Sequence, residues 1–402
     1  MKKNLPLTLI FIVIFVDLLG FGVLIPILPI FTKNELHAPE FFVGIAIAIY
    51  SLVQFLFNPI FGSLSDRYGR KKIILFTLFL NAISYVIFAY SHNFAILLLS
   101  RVIGGIGGSS IGVAQAYIAD VTTKEERSKG MGLVGVAFGV GFVFGPIIGG
   151  VLSKYGYHVT GFVSAGFSMT ALIFCFFYLP ESKTKISSAV GAVKRKIINP
   201  DAFRKVFMNP TVSIVIMLFF VITFSVANIF GTFALMGSNH YGFSNQQNGY
   251  IFGIVGLVSA TIQGGVVARL SKYLSDVKLI SIGSVFMMLG LGFLPFGWGA
   301  DTASKFASVA GITVVLSIGT GMLTTVLLSL VSKVAPENEQ GLVLGVNQSL
   351  SAFARMLGPL WGGFAFQYLG YQVPFLTGAS LTFCIFIFSV MFLSKHIEGK
   401  KS

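Results

Sequence analysis

Charge is scarce in this sequence. Only 10% of its 402 residues are Asp, Glu, Lys or Arg, where soluble domains carry roughly 25%. With 55% hydrophobic residues and a mean hydropathy of +0.86, the chain has too little polar surface for a water-soluble fold. Cysteine is nearly absent. Cys175 and Cys384 each lie inside an apolar run, which argues against a disulfide framework. The five histidines, His37, His92, His158, His240 and His396, all lie outside the apolar runs and are expected in loops or tails, which leaves no histidine relay within an apolar run. There is no nucleotide-binding loop, no His/Cys set at metal-ligand spacing and no nucleophile beside a base. An enzyme, a resident metal and an ATP-driven pump therefore find no support. The first apolar run is too long for a cleaved leader, and no small-residue cleavage site ends it.

What the sequence has in abundance is long apolar runs. A membrane-spanning helix needs about 20 such residues. Spans are expected at roughly 7–30, 42–62, 73–91, 94–119, 131–153 and 159–179, then at roughly 211–237, 247–268, 279–298, 305–330, 343–366 and 373–394. The net charge of +14 does not point to nucleic acid, because the positive residues sit in the short segments between runs. Twenty-three of the 28 Lys and Arg residues fall in alternate segments, including both ends of the chain. Lys33, Lys154 and Lys305 alone occupy the opposite set, and Arg101 and Arg355 lie within spans. Positive residues mark the cytoplasmic side, so both termini are expected inside a cell membrane crossed twelve times. The expected partners are the lipid bilayer and a small molecule, and a monomer suffices.

The chain reads as two halves, 1–180 and 211–402, joined by a basic cytoplasmic linker at 181–210 with room for a short amphipathic helix. Shifting the sequence by 213 positions lays Gly132 on Gly345, Tyr155 on Tyr368 and Phe162 on Phe375. The same shift lays Gly145-Pro146-Ile-Ile-Gly149-Gly150 on Gly358-Pro359-Leu-Trp-Gly362-Gly363. The fold expected is an all-α membrane protein of two pseudo-symmetric six-helix halves.

Between the second and third runs stands Gly62-Ser-Leu-Ser-Asp66-Arg67-Tyr-Gly69-Arg70-Lys-Lys72. This stretch resembles the loop between the second and third helices of the major facilitator superfamily of transporters, with Lys72 where proline is usual. The resemblance implies that Gly62, Asp66, Arg67, Gly69 and Arg70 form a conformational latch with Asp120 and Arg127. In the family the aspartate of this loop docks at the cytoplasmic start of the eleventh helix, where a helix N-terminus favours a carboxylate. A solvated turn with only topological meaning is the alternative.

Asp17 is the one acid deep in a span. An ionisable residue there is costly and functional by default, and removal from water favours the neutral form of a carboxyl group. Its surroundings, Asp17-Leu-Leu-Gly20-Phe-Gly22-Val-Leu-Ile-Pro26, resemble the first helix of tetracycline/proton antiporters and their multidrug relatives. The resemblance implies proton coupling or substrate binding at Asp17; a structural pairing with Arg101 is the alternative. Arg101-Val-Ile-Gly-Gly105 matches the fourth-helix Arg-x-x-x-Gly pattern, which that family links to proton transfer. Counting about 1.5 Å per residue places Arg101 roughly 9 Å nearer the outside than Asp17, so a direct ion pair is not required. Gly141, Gly145, Pro146, Gly149 and Gly150 match the fifth-helix motif of the antiporter branch, and small residues every fourth position let helices approach closely in lipid.

Arg355 lies mid-span with no acid opposite it in the second half. It binds an anionic group of the substrate, is structural, or reaches Asp17; all three stay open. Gln54, Asn58, Gln115, Asn228 and Gln348 are either cavity residues that meet substrate or interhelical hydrogen bonds. Tetracycline exporters of this kind carry an acid in the third span and acidic and histidine residues in the second half. Here Asn81-Ala-Ile-Ser84 has no acid, which argues against tetracycline itself. The expected activity is proton-coupled export of a small amphipathic drug or metabolite by alternating access, with the proton as coupling ion and no cofactor. A proton symporter for uptake is the alternative.

Overall fold

The computed structural model describes residues 5–122, 127–182, 200–336 and 340–393, and contains no strand among them. The helices are α1 Leu5–Asn34, α2 Glu40–Tyr68, α3 Arg70–Ala89, α4 Phe94–Val121, α5 Arg127–Leu152, α6 Tyr157–Tyr178, α7 Pro200–Phe207, α8 Pro210–Tyr241, α9 Asn245–Leu270, α10 Asp276–Phe296, α11 Thr302–Val334, α12 Gln340–Tyr368 and α13 Val373–Met391. Among the described residues, eleven are long and apolar enough to cross a membrane. The twelfth of membrane length is α12, whose 29 residues extend about 43 Å. Gln340, Asn347, Gln348 and Arg355 make it the more polar one. The chain is a multi-pass membrane protein. A backbone that leaves water must pair every N–H and C=O internally, and helices do this within one segment.

Two long helices are interrupted where their sequences demand it. A turn at 25–27, which contains Pro26 and is followed by Pro29 at the start of the next helical segment, breaks α1. A turn at Gly108 and Ser109 breaks α4 at the end of a glycine-rich stretch. Helix starts are capped by side chains: Asn93 accepts from Ile96 N, Asn209 from Val212 N and Asp301 from Ser304 N. Hydrogen bonds from Ser304 hold the exposed Asp301 carboxyl below the usual carboxylate range.

The chain separates into two compact units, residues 1–38 with 49–198 and residues 39–48 with 199–402. In the first, α1 packs along α5, and α3 is held between α4 and α6. In the second, α8 packs along α12, and α10 is held between α11 and α13. The same helix pairs thus recur one half later. Helix ends recur in register too: α4 ends at Val121 and α11 at Val334, 213 residues later.

The α1–α5 seam is backbone against backbone. A Cβ at Gly145 would stand 2.8 Å from both Gly22 Cα and Leu19 O, and one at Gly149 would overlap Val23 O. Gly141 abuts Leu18, while Pro146 and Gly150 are buried. In the second unit Gly358 and Gly362 receive Asn228 of α8 in the same way.

Candidate functional site

Asp17 lies on α1 next to Leu18 and Leu19, which meet the glycine seam, and is 5% exposed. Asn81 of α3 donates through Nδ2 to Asp17 Oδ1 at 2.6 Å. Ser110 of α4 donates through its hydroxyl to Asp17 Oδ2. Ser110 is the first residue after the break in α4, at a helix start, where the dipole favours a negative group. The break also frees a carbonyl: Gly108 O accepts from Gln54 Nε2 of α2 at 2.7 Å. Asn81 reaches Asp17 by lying flat on Gly107, where any Cβ would collide with its amide.

Arg101 is buried at 3% exposure on α4 and does not pair with Asp17 among the described residues. Its guanidinium lies 5.8 Å from the centre of the Tyr50 ring, and its Nε donates to Ser100 Oγ at 3.5 Å. A cation over an aromatic face is attracted by the ring quadrupole. Tyr85 packs its hydroxyl against Gly20, one turn from Asp17. The structure therefore places the acid with neutral hydrogen-bond donors and the arginine with an aromatic ring.

The remaining candidates scatter. Gln54 serves as the interhelical tie just described. Gln115 is exposed on α4, and Asn58 Oδ1 is buried without a partner. In the second unit, the Asn228 amide donates to Pro374 O, tying α8 to α13. Arg355 is half-buried and Gln348 exposed on α12.

A second cluster gathers at the start of α3. Arg70 Nη2 meets Asp66 Oδ1 at 2.7 Å, and its Nε donates to Asp120 Oδ2 at 3.0 Å. Its Nη1 donates to Ser65 Oγ and, at 3.5 Å, to Gly62 O. Arg67 lies exposed beside the ring of Tyr68. Arg127 starts α5, but its side chain lies outside the described residues. Glu181, just past α6, accepts from Arg70 N at 2.8 Å and Lys71 N at 3.3 Å, capping α3 with a carboxylate. Gly69 is required there: its φ is +101°, and a Cβ would strike Glu181. Ser182 donates to Asp120 Oδ2 at 3.0 Å. One buried guanidinium thus joins α2, α3 and α4, while Glu181 and Ser182 attach the segment after α6.

Sequence reasoning missed Asn81, Ser110, Ser65 and Glu181 as members of these clusters. The stretch Asn81 to Ser84 drew notice only for lacking an acid. Glu181 carried one usable signal, an acid immediately following the last apolar residue of a half.

The comparisons with known proteins agree with this architecture. Multidrug resistance protein 2 of Bacillus subtilis is 30% identical over 90% of this chain and 89% of its own. The class C tetracycline resistance protein of Escherichia coli is 28% identical over 90% of this chain and 89% of its own. The crystal structure of the human organic anion transporter MFSD10 (TETRAN) superposes with a TM-score of 0.62, at 25% identity over 96% of this chain and 99% of that one. The model of the Major Facilitator Superfamily matches residues 10–359 and 265–402. This chain, a small-molecule transporter and not an enzyme, belongs to the Major Facilitator Superfamily.

Proposed function

We propose that the protein exports a small amphipathic drug or metabolite in exchange for protons, by alternating access across a cell membrane with both termini cytoplasmic. The observation that carries this reading is the environment of Asp17. A carboxylate locked to an arginine would leave a buried cation unpaired each time it took a proton, at high cost. Asp17 is held by an amide and a hydroxyl instead. A hydroxyl both donates and accepts, so Ser110 can donate to the ionised carboxylate and accept from the protonated acid. Both charge states stay hydrogen-bonded, as a group that loads and unloads a proton each cycle requires.

Arg101 then acts as a fixed positive field near the path rather than as a lock on the acid. The Arg70 cluster sets the balance between the two access states. Arg355, half-buried on α12, supplies a cation for an anionic substrate group; the name of the human structural relative, an organic anion transporter, favours this choice. The direction of coupling rests on the fifth-helix glycine motif, and the multidrug and tetracycline resistance relatives support it.

Inverted vesicles with an acid interior test the reading, using a panel of amphipathic dyes and organic anions. Accumulation driven by the pH gradient, with matching proton release, supports exchange. Accumulation only when the gradient is reversed establishes the uptake symporter, and gradient-independent equilibration would sink both.

A further inference from the structure

A cavity of about 340 Å³ lies in the second unit, away from every group used above. Its walls are Phe207 of α7, Ile214, Met217 and Val221 of α8, and Phe388 of α13. The polar residue at its edge, Ser213, turns its hydroxyl to the backbone, donating to Asn209 O at 2.9 Å. A polar solute would find no partner inside, so the chemistry of the wall fits hydrocarbon. The cavity is open on one side, with Met217 and Phe207 each about two-fifths exposed.

Its rim is different. The short helix α7 buries Val206 at 2% exposure and holds Arg204 and Lys205 exposed. Arg204 and Phe207 are spaced i, i+3, so their side chains are neighbours on one face. Helical spacing therefore puts Arg204 on the face of α7 that carries the ring walling the cavity. An apolar slot with a cation at its mouth, in a protein that spans a membrane, is complementary to one amphiphile: an acyl chain joined to an anionic phosphate. We propose that this cavity seats an acyl chain of an anionic phospholipid, with its headgroup held by Arg204 and with Lys205 adding to the field.

The test places a reporter in the slot by Phe388→Trp, leaving the native Trp298 and Trp361 as reference. The full-length protein is reconstituted into phosphatidylcholine vesicles with increasing fractions of dibrominated phosphatidylglycerol or dibrominated phosphatidylcholine. Bromine quenching of the new tryptophan should half-saturate at about a fivefold lower fraction of phosphatidylglycerol, the preference one cation near a membrane surface confers. Arg204→Gln should remove that preference. Equal quenching by the two lipids, or an unchanged preference in Arg204→Gln, would overturn the proposal. A second measurement needs no reporter: native mass spectrometry counts phosphatidylglycerol retained by the wild type, by Arg204→Gln and by the slot-filling Ile214→Trp. Loss of one lipid in both variants supports a seated chain. Loss in Arg204→Gln alone would show attraction by charge without a chain in the slot, and identical counts would show neither; each overturns it. Displacement of the quencher by a transported dye at equal affinity would assign the slot to substrate and overturn it too.

Discussion

Asn81 donates its side-chain amide to Asp17 across 2.6 Å, joining α3 to α1 at the one acid buried within a span among the described residues. Together with Ser110, this neutral donor decides how the carboxyl points and which groups see it change charge.

Removing either donor should therefore harm turnover without removing the acid. A hydrogen bond to a charged group contributes about 1.5–3 kcal/mol, so Asn81→Ala or Ser110→Ala should lower gradient-driven transport by about tenfold or more. Initial rates in vesicles, normalised to folded protein, check this. Ser110→Thr keeps the hydroxyl and should retain more activity than Ser110→Ala.

The Arg70 cluster should be far more sensitive than the ion pair at the corresponding place in the second unit. There Lys333 donates to Asp276 at 2.8 Å, with the lysine 56% exposed. Such a pair contributes about 0–1 kcal/mol, so Lys333→Gln should leave thermal unfolding in detergent nearly unchanged. Arg70 is 7% exposed at its side chain and bonds to two carboxylates. Arg70→Lys keeps the charge but loses the planar fork, and should lower the unfolding midpoint by several degrees. Glu181→Gln, which weakens the cap on α3, should shift it in the same direction by less.

The α1–α5 seam should reject a single methyl group. Gly149→Ala drives a Cβ into Val23 O, whereas Gly135, on the same helix, has nothing within 4 Å of the same position. Gly149→Ala is expected to lose most of the folded yield or most of the transport, and Gly135→Ala to keep both. Size-exclusion profiles beside vesicle transport rates separate these outcomes.

Much of the fold was legible because its signals are local. Apolar runs give the spans, and the recurrence of Gly145-Pro146 at Gly358-Pro359 announces the repeat that the helix pairs display. Asp17 stood out because an acid inside an apolar run has no ordinary explanation. Its partners did not, because Asn81 and Ser110 lie 64 and 93 residues away along the chain, and both residue types are common in helices. The break in α4 was hidden for a related reason. The sequence offers Arg101-x-x-x-Gly105 as one continuous helical motif, and only the packed structure shows the helix yielding at Gly108 and Ser109. Gln54 illustrates the converse: the sequence left it between cavity and tie, and its bond to the freed carbonyl of Gly108 makes it a tie. Glu181 was absorbed into a basic linker, since a cap formed over 111 positions leaves no local mark.

The most direct test of the account compares wild type with Asp17→Asn in inverted vesicles, measuring both gradient-driven accumulation and substrate exchange at equal pH. Asparagine keeps the shape and the hydrogen bonds but cannot carry the proton. The account predicts that gradient-driven accumulation disappears while exchange at equal pH survives. Unchanged gradient-driven accumulation in Asp17→Asn would contradict it, and would move the coupling role to another acid, with Asp66 and Asp120 the first to examine.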